Sequence, residues 1–241
     1  MTQPHERGAV EVDERRDDAL VELALAHRAL AVGDRVRVRF IGSRWTTARR
    51  RDVLDGAGFA VLALDGRDAL VERLRSLPDW LRPGLRLVTC GLNPSVYAAD
   101  AGVNFARPGN RFWPAALDAG LVTRDRDPHH AVRVDGVGMT DLVKRATARA
   151  DELDASEFAS GWARVRRSVE WLQPGVLCVL GVTGWRHAVD RRARLGVQDD
   201  TIGGVPVYVM PNPSGLNAHA TPAALAEHLG AALALARRHG H

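Results

Sequence analysis

Three short runs of nearly uninterrupted apolar residues constrain this chain most: LRLVTCGL at 85–92, VLCVLG at 176–181 and VPVYVM at 205–210. A strand that is apolar at every position has both faces covered, which is the condition of a central strand in a parallel sheet. The stretches around them have helical spacing: Asn110 to Ala119, Ala155 to Leu172, Thr183 to Arg194 and Pro222 to Arg238. Strands alternating with helices specify an α/β fold, a three-layer α/β/α sandwich around a short, mostly parallel central sheet. In such sheets the functional crevice lies beyond the carboxyl ends of the strands. That rule puts the chemistry at 91–111, 138–145 and 210–219.

The front of the chain reads as a separate small α/β extension over residues 1–82, ahead of a main domain at 83–241. The boundary falls in LPDWLRPG, where two prolines and a glycine precede a strong strand. Within the extension the first dozen residues are polar and expected to fray. A helix is expected from Asp17 to Ala31, a half-buried strand at 35–41 (RVRVRFI), a helix through TTARRRDVLDGAG, a strand at 59–64 and a further helix from Asp68 to Leu77. The run Arg49-Arg50-Arg51 reads either as a solvated helix face or as contacts to nucleic-acid phosphates.

Composition narrows the function classes. Among 241 residues, 33 are basic and 29 acidic, a net charge of +4, so the chain is no polycation. A hydrophobic fraction of 46% excludes disorder over most of its length. Lys144 is the sole lysine; all other basic residues are arginine, whose planar fork suits phosphate. Cys90 and Cys178 lie in apolar runs and read as buried thiols, and two thiols cannot hold an all-cysteine iron–sulfur cluster. No apolar stretch reaches 18 uninterrupted residues and MTQPHERGAVEVDERRDD has no apolar core for export, so a soluble, cytoplasmic protein without membrane partners is expected. No Gly-x-Gly-x-x-Gly or Walker-type loop follows a strand, and His129, His130 and His219 show no ligand spacing. Neither cofactor nor metal is expected.

The strand ends carry the unusual residues. The first strand runs into Gly91-Leu92-Asn93-Pro94-Ser95, followed by Phe105-Ala106-Arg107-Pro108-Gly109-Asn110-Arg111-Phe112-Trp113; the third runs into Met210-Pro211-Asn212-Pro213-Ser214-Gly215-Leu216-Asn217. Over about residues 83–236 these segments resemble, in order and position, the signature motifs of the mismatch-specific uracil/thymine-DNA glycosylases, a branch of the uracil-DNA glycosylase superfamily. The resemblance implies a monofunctional DNA glycosylase that flips a uracil, or a related deaminated or mismatched pyrimidine, out of double-stranded DNA and excises it hydrolytically. It implies Asn93 as the catalytic asparagine and Phe105 as the ring that stacks on the base. It also implies Gly215, Leu216 and Asn217, with Ser214, as a loop entering the helix, while Ala218-His219 depart from the branch's pattern, which has an arginine there.

The residues support the same chemistry. An enzyme acting on a base takes it out of the stack, holds it in a pocket and fills the gap. A carboxamide such as Asn93 cannot deprotonate water but can align it; as part of Asn-Pro it also makes an ordinary turn. Phe105 is either a stacking platform or core, and Leu216 either an apolar wedge or a packed loop residue. Asp141, in Gly138-Met139-Thr140-Asp141-Leu142-Val143-Lys144-Arg145-Ala146-Thr147, is a second catalytic candidate that supplies the carboxylate Asn93 lacks; its other readings are a helix cap or a partner for Arg145. Leu92, Ser95 and Asn212 complete the expected substrate pocket. Arg107 and Asn110, with Arg111 beside them, suit DNA phosphates; Phe112 and Trp113 read as core. A β-lyase step needs an amine, and one lysine makes it unfavoured. A monomer is expected. The competing reading is a nucleic-acid-binding module of the same fold with weak catalysis, recruiting repair factors.

Overall fold

The computed structural model describes residues 6–215, 217 and 220–238. Two sheets organise them. In the front part β1 (Glu6–Asp13), α1 (Ala19–Ala29), β2 (Arg35–Ile41), α2 (Thr47–Gly56), β3 (Phe59–Asp65) and β4 (Asp68–Arg73) build a four-stranded sheet of order β1-β2-β4-β3. β1 runs parallel to β2, and β4 runs antiparallel to both β2 and β3. The alternation in RVRVRFI is realised residue by residue, with Val36, Val38 and Phe40 buried.

The second sheet has the order β6-β5-β7-β9-β8. After β5 (Leu87–Gly91) come α3 (Val96–Ala101), α4 (Phe112–Asp118) and the short α5 (Pro128–His130), which precede β6 (Val137–Asp141). Then follow α6 (Ala155–Leu172), β7 (Leu177–Leu180), α7 (Val182–Ala188), β8 (Gly196–Ile202), β9 (Val205–Met210) and α8 (Pro222–Arg238). β6, β5, β7 and β9 are mutually parallel, and only β8, at the edge, is antiparallel. Every residue of β5, β7 and β9 is buried, as continuous apolar runs require. Helices flank this sheet: α8 packs on α4 and β9, and α6 on α7. The α/β sandwich read from the sequence is the observed fold.

Several elements differ from the expectation. The polar N-terminal stretch is strand β1; as an edge strand it needs few apolar residues, and Val12 is its fully buried one among residues 8–13. Asp68 to Leu77 does not form a helix. Gly66, at φ +55°, turns the chain back so that β4 fills the gap between β2 and β3, with Ala69 and Val71 on the buried face. The helix expected over Thr183 to Arg194 stops at Ala188, and β8 follows as a polar edge strand with an irregular register. The loop expected after the first strand holds α3, capped by Ser95 Oγ, which accepts from Ala98 N at 3.1 Å.

Between the sheets, residues 74–84 are not a loose tether. Leu77, Asp79, Trp80 and Leu81 are buried, and Trp80 extends the second sheet by exchanging backbone hydrogen bonds with Met139 at 2.8 and 3.0 Å. The front part also docks on α6. Asp52 pairs both oxygens with Arg167 at 2.7 Å, and the Trp45 and Trp171 rings meet edge to face at 5.3 Å. The arginine run is spent here: Arg49 lies 4.0 Å over the Trp171 ring and Arg50 is buried on Glu14, so only Arg51 is a solvated residue. Trp80→Ala is expected to cost about 3–5 kcal/mol and to lower one melting transition shared by both sheets; two separate transitions in calorimetry would contradict that coupling.

Candidate active site

The loops leaving the carboxyl ends of β5, β6 and β9 enclose a cavity of about 610 Å³. Its walls include Asn93, Phe105, Asp141 and Asn212, with Leu92, Ser95, Arg107, Asn110 and Ser214. The structure thus brings together residues as distant in sequence as Leu92 and Ser214, at the edge where a parallel sheet places ligands.

Asn93 is held by three acceptors. Its Nδ2 donates to Thr147 Oγ1 at 2.8 Å, to the Arg145 carbonyl at 3.0 Å and to the Pro94 carbonyl at 3.2 Å. Carbonyl oxygens only accept, so the amide nitrogen belongs on this side, and Oδ1 is the side-chain group these three contacts leave uncommitted. An acceptor so fixed can receive a hydrogen bond from water in one defined direction. The turn made by Asn93-Pro94 and the orientation of its side chain therefore coexist.

Phe105 adopts φ +59°, a left-handed conformation that is a true outlier for a bulky residue. Strain of this kind concentrates where a side chain must be presented to a ligand. The ring is half-buried, 4.3 Å from Phe112 between centroids and tilted by 42°. Phe112 and Trp113 behind it are core, as expected. A Cβ built on Gly91 would lie 2.4 Å from Asp141 Oδ1 and 3.4 Å from Phe105 Cε1, so carboxyl and ring converge over a position that only glycine leaves open.

Asp141 ends β6, directly across from Gly91, and is buried. It neither caps a helix nor meets Arg145, which pairs with Glu157 at 2.7 Å. Oδ2 is enclosed without a hydrogen-bond partner among the described residues. Burial raises the carboxyl to about 6, against the pull of Lys144 and Arg164 and with a push from Asp79.

Several polar candidates hold the loops to one another. Ser95 caps α3, and Asn110 Oδ1 accepts from Phe112 N at 2.9 Å. Asn212 Oδ1 accepts from Ser214 N at 2.9 Å, and Asn217 Nδ2 donates to the Asn212 carbonyl at 3.0 Å. The Leu92 side chain turns away toward Gly184, leaving its backbone at the cavity. Arg111 joins the two signature loops: its N donates to the Pro213 carbonyl at 2.9 Å and its guanidinium to the carbonyls of Asn217, at 3.0 Å, and Ala220. A Cβ on Gly215 would come within 2.6 Å of the Gly109 oxygen, so glycine is required for this contact. Leu216, Ala218 and His219 lie outside the described residues. Arg107 is exposed at the mouth, as is Arg149, which sequence reasoning missed because it lies in a segment with no periodic signal; Thr147 closes the segment singled out around Asp141 but carried no role of its own there.

Fold and cavity together define an α/β protein with a cavity lined by Asn93, Phe105 and Asp141 at the carboxyl edge of its parallel strands. Residues 78–234 match the family model of the Uracil DNA glycosylase superfamily, and the chain belongs to that superfamily. It is accordingly a DNA glycosylase by family, a hydrolase whose partner is DNA.

Because the folded Asp141 carboxyl is raised, its contribution to stability is complete below the ordinary carboxylate value and is lost as pH rises through about 6. Asp141→Asn is expected to stabilise the fold at pH 7.5, by up to about 3 kcal/mol, with the gain vanishing near pH 4. Melting temperatures across that range check it.

Proposed function

We propose that this glycosylase excises uracil, or a related deaminated or mismatched pyrimidine such as one opposite guanine, from double-stranded DNA and leaves an abasic site. The observation that carries this reading is the tethering of Asn93 Nδ2 to the Arg145 carbonyl and Thr147 Oγ1 at the wall of a cavity that Phe105 and Asp141 also line, which commits the amide nitrogen and leaves Oδ1 to act as an acceptor.

The flipped base enters the cavity and stacks on Phe105, which is worth about 1–3 kcal/mol per base. As the C1′–N bond loosens, the base departs with the bonding electrons and the sugar becomes oxocarbenium-like. Asn93 Oδ1 orients a water toward C1′. The water oxygen bonds to C1′, and its proton passes to the Asp141 carboxylate or to solvent. An ionised Asp141 also stabilises the positive sugar. The loop at 213–217, with Arg107 and Asn110 near the mouth, serves contacts to the DNA strand. The Leu216 wedge is part of this proposal, although that residue lies outside the described ones.

The monofunctional assignment is supported by the state of Lys144, the sole lysine, whose Nζ is buried against Asp79 at 2.8 Å. That amine is not presented to a sugar carbon. The protein is further proposed to act as a cytoplasmic monomer on the bacterial chromosome, with residues 1–82 as an appended unit that braces α6.

An oligonucleotide carrying uracil opposite guanine, incubated with protein and then cleaved with alkali, is expected to yield strand scission; its absence with the wild type would sink the assignment. Asn93→Ala is expected to slow single-turnover excision about a hundredfold. Phe105→Ala is expected to weaken substrate binding by about 1–3 kcal/mol. Asp141 acts as the carboxylate, so excision is expected to rise as pH increases through about 6. Asp141→Asn removes that limb, and a flat wild-type profile would take Asp141 out of the reaction.

A further inference from the structure

Beneath the cavity wall lies a buried ionic cluster that this reaction scheme does not use. Asp79, Lys144 and Arg164 are 5%, 7% and 3% exposed. Asp79 Oδ1 accepts from Thr140 Oγ1 at 2.7 Å and from Lys144 Nζ at 2.8 Å, while its Oδ2 accepts from Arg164 Nη1 at 2.5 Å. Arg164 Nη2 continues to the Asp141 carbonyl at 2.6 Å, and its Nε lies 3.2 Å from Asp55 Oδ2. Ion pairs this deep recover little more than their own desolvation, and apolar residues of similar volume often serve stability as well or better. The arrangement invites a reason other than stability.

Its location supplies one. Lys144 sits in the middle of the irregular segment that follows β6, and that segment is fastened along its length. Leu142 N and Val143 N donate to the carbonyls of Gly91 and Leu92, both at 2.9 Å. Ser76 Oγ donates to the Lys144 carbonyl at 2.5 Å. The next residues bear the acceptors of the catalytic amide, the Arg145 carbonyl and Thr147 Oγ1. Adjacent Cα atoms are fixed about 3.8 Å apart, so a shift at Lys144 is passed to Arg145 with little slack.

We infer that Asp79 and Lys144 are positioning residues: their buried pair, with Ser76, holds the 142–147 segment where Arg145 and Thr147 orient the Asn93 carboxamide. The inference rests on the proposed role of Asn93. It gives the only lysine a task in excision that involves no covalent chemistry.

The test compares Lys144→Met, Lys144→Arg, Asp79→Asn and Ser76→Ala in the full chain. Three quantities are read: hydrogen exchange of the ¹⁵N-labelled Asn93 side-chain amide, single-turnover excision from uracil-containing duplex, and affinity for a duplex carrying an abasic-site analogue. Lys144→Met and Asp79→Asn are expected to speed amide exchange and slow excision, each about tenfold, while affinity changes by less than about twofold. Lys144→Arg is expected to restore most of both. Should the buried substitutions fail to fold, Ser76→Ala removes a single hydrogen bond from the same segment and is expected to move exchange and excision the same way by a smaller factor. Wild-type exchange and excision in the folded variants would overturn the inference. Equal losses of excision and affinity would also overturn it, because they mark general loosening. A wild-type protein that excises nothing would defeat the proposed function, yet amide exchange would still decide whether the pair positions Asn93.

Discussion

Parallel strands deliver all their loops to one edge, and every loop arriving there brings backbone groups that must find partners. In this protein the loops satisfy each other. Thr147 N reaches the Pro94 carbonyl, Leu142 N the Gly91 carbonyl, Arg111 N the Pro213 carbonyl and Gly181 N the Met210 carbonyl. The cavity is the space left between loops that are mutually bonded, and backbone hydrogen bonds between those loops brace its walls beside the strand ends and α3 that border it. Glycines set how closely the loops approach: Gly91 gives room to the Asp141 carboxyl, and Gly215 lies against the backbone of Gly109.

The sequence disclosed the parts of this arrangement that depend on local chemistry. Apolar strands buried on both faces need unbroken hydrophobic runs, so β5, β7 and β9 could be read directly. The bounds of α6 and α8 coincide with expectation because Pro174-Gly175 ends one and Pro222 begins the other. Edge strands β1 and β8 and the inserted strand β4 escaped because their pairing comes from distant partners and their composition suits several structures. At the site, Asn93, Phe105, Asp141 and Asn212 were expected and do converge. Ser95 and Asn110 line the cavity and also bond within their own loops, since the groups that bind substrates are also the groups that cap helices. The Asp79 cluster was invisible in the sequence, because its partners stand 65 and 85 residues away.

Arginine abundance takes on a different meaning once the partners are seen. Arg15 grips Asp13, Arg16 grips Asp18, Arg75 grips Asp100, Arg145 grips Glu157 and Arg167 grips Asp52, several of them with both fork nitrogens. Much of the basic composition is neutralised within the molecule. A DNA footprint has to be sought in the remaining cations, such as Arg107 at the cavity mouth, more than in the net charge.

The seclusion of Lys144 has a practical side. An amine that is 6% exposed and engaged by a carboxylate is shielded from acylating reagents for as long as the loop beneath Asn93 stays closed. With no other lysine in the chain, covalent labelling at that side chain amounts to a clock for local opening of one wall of the cavity.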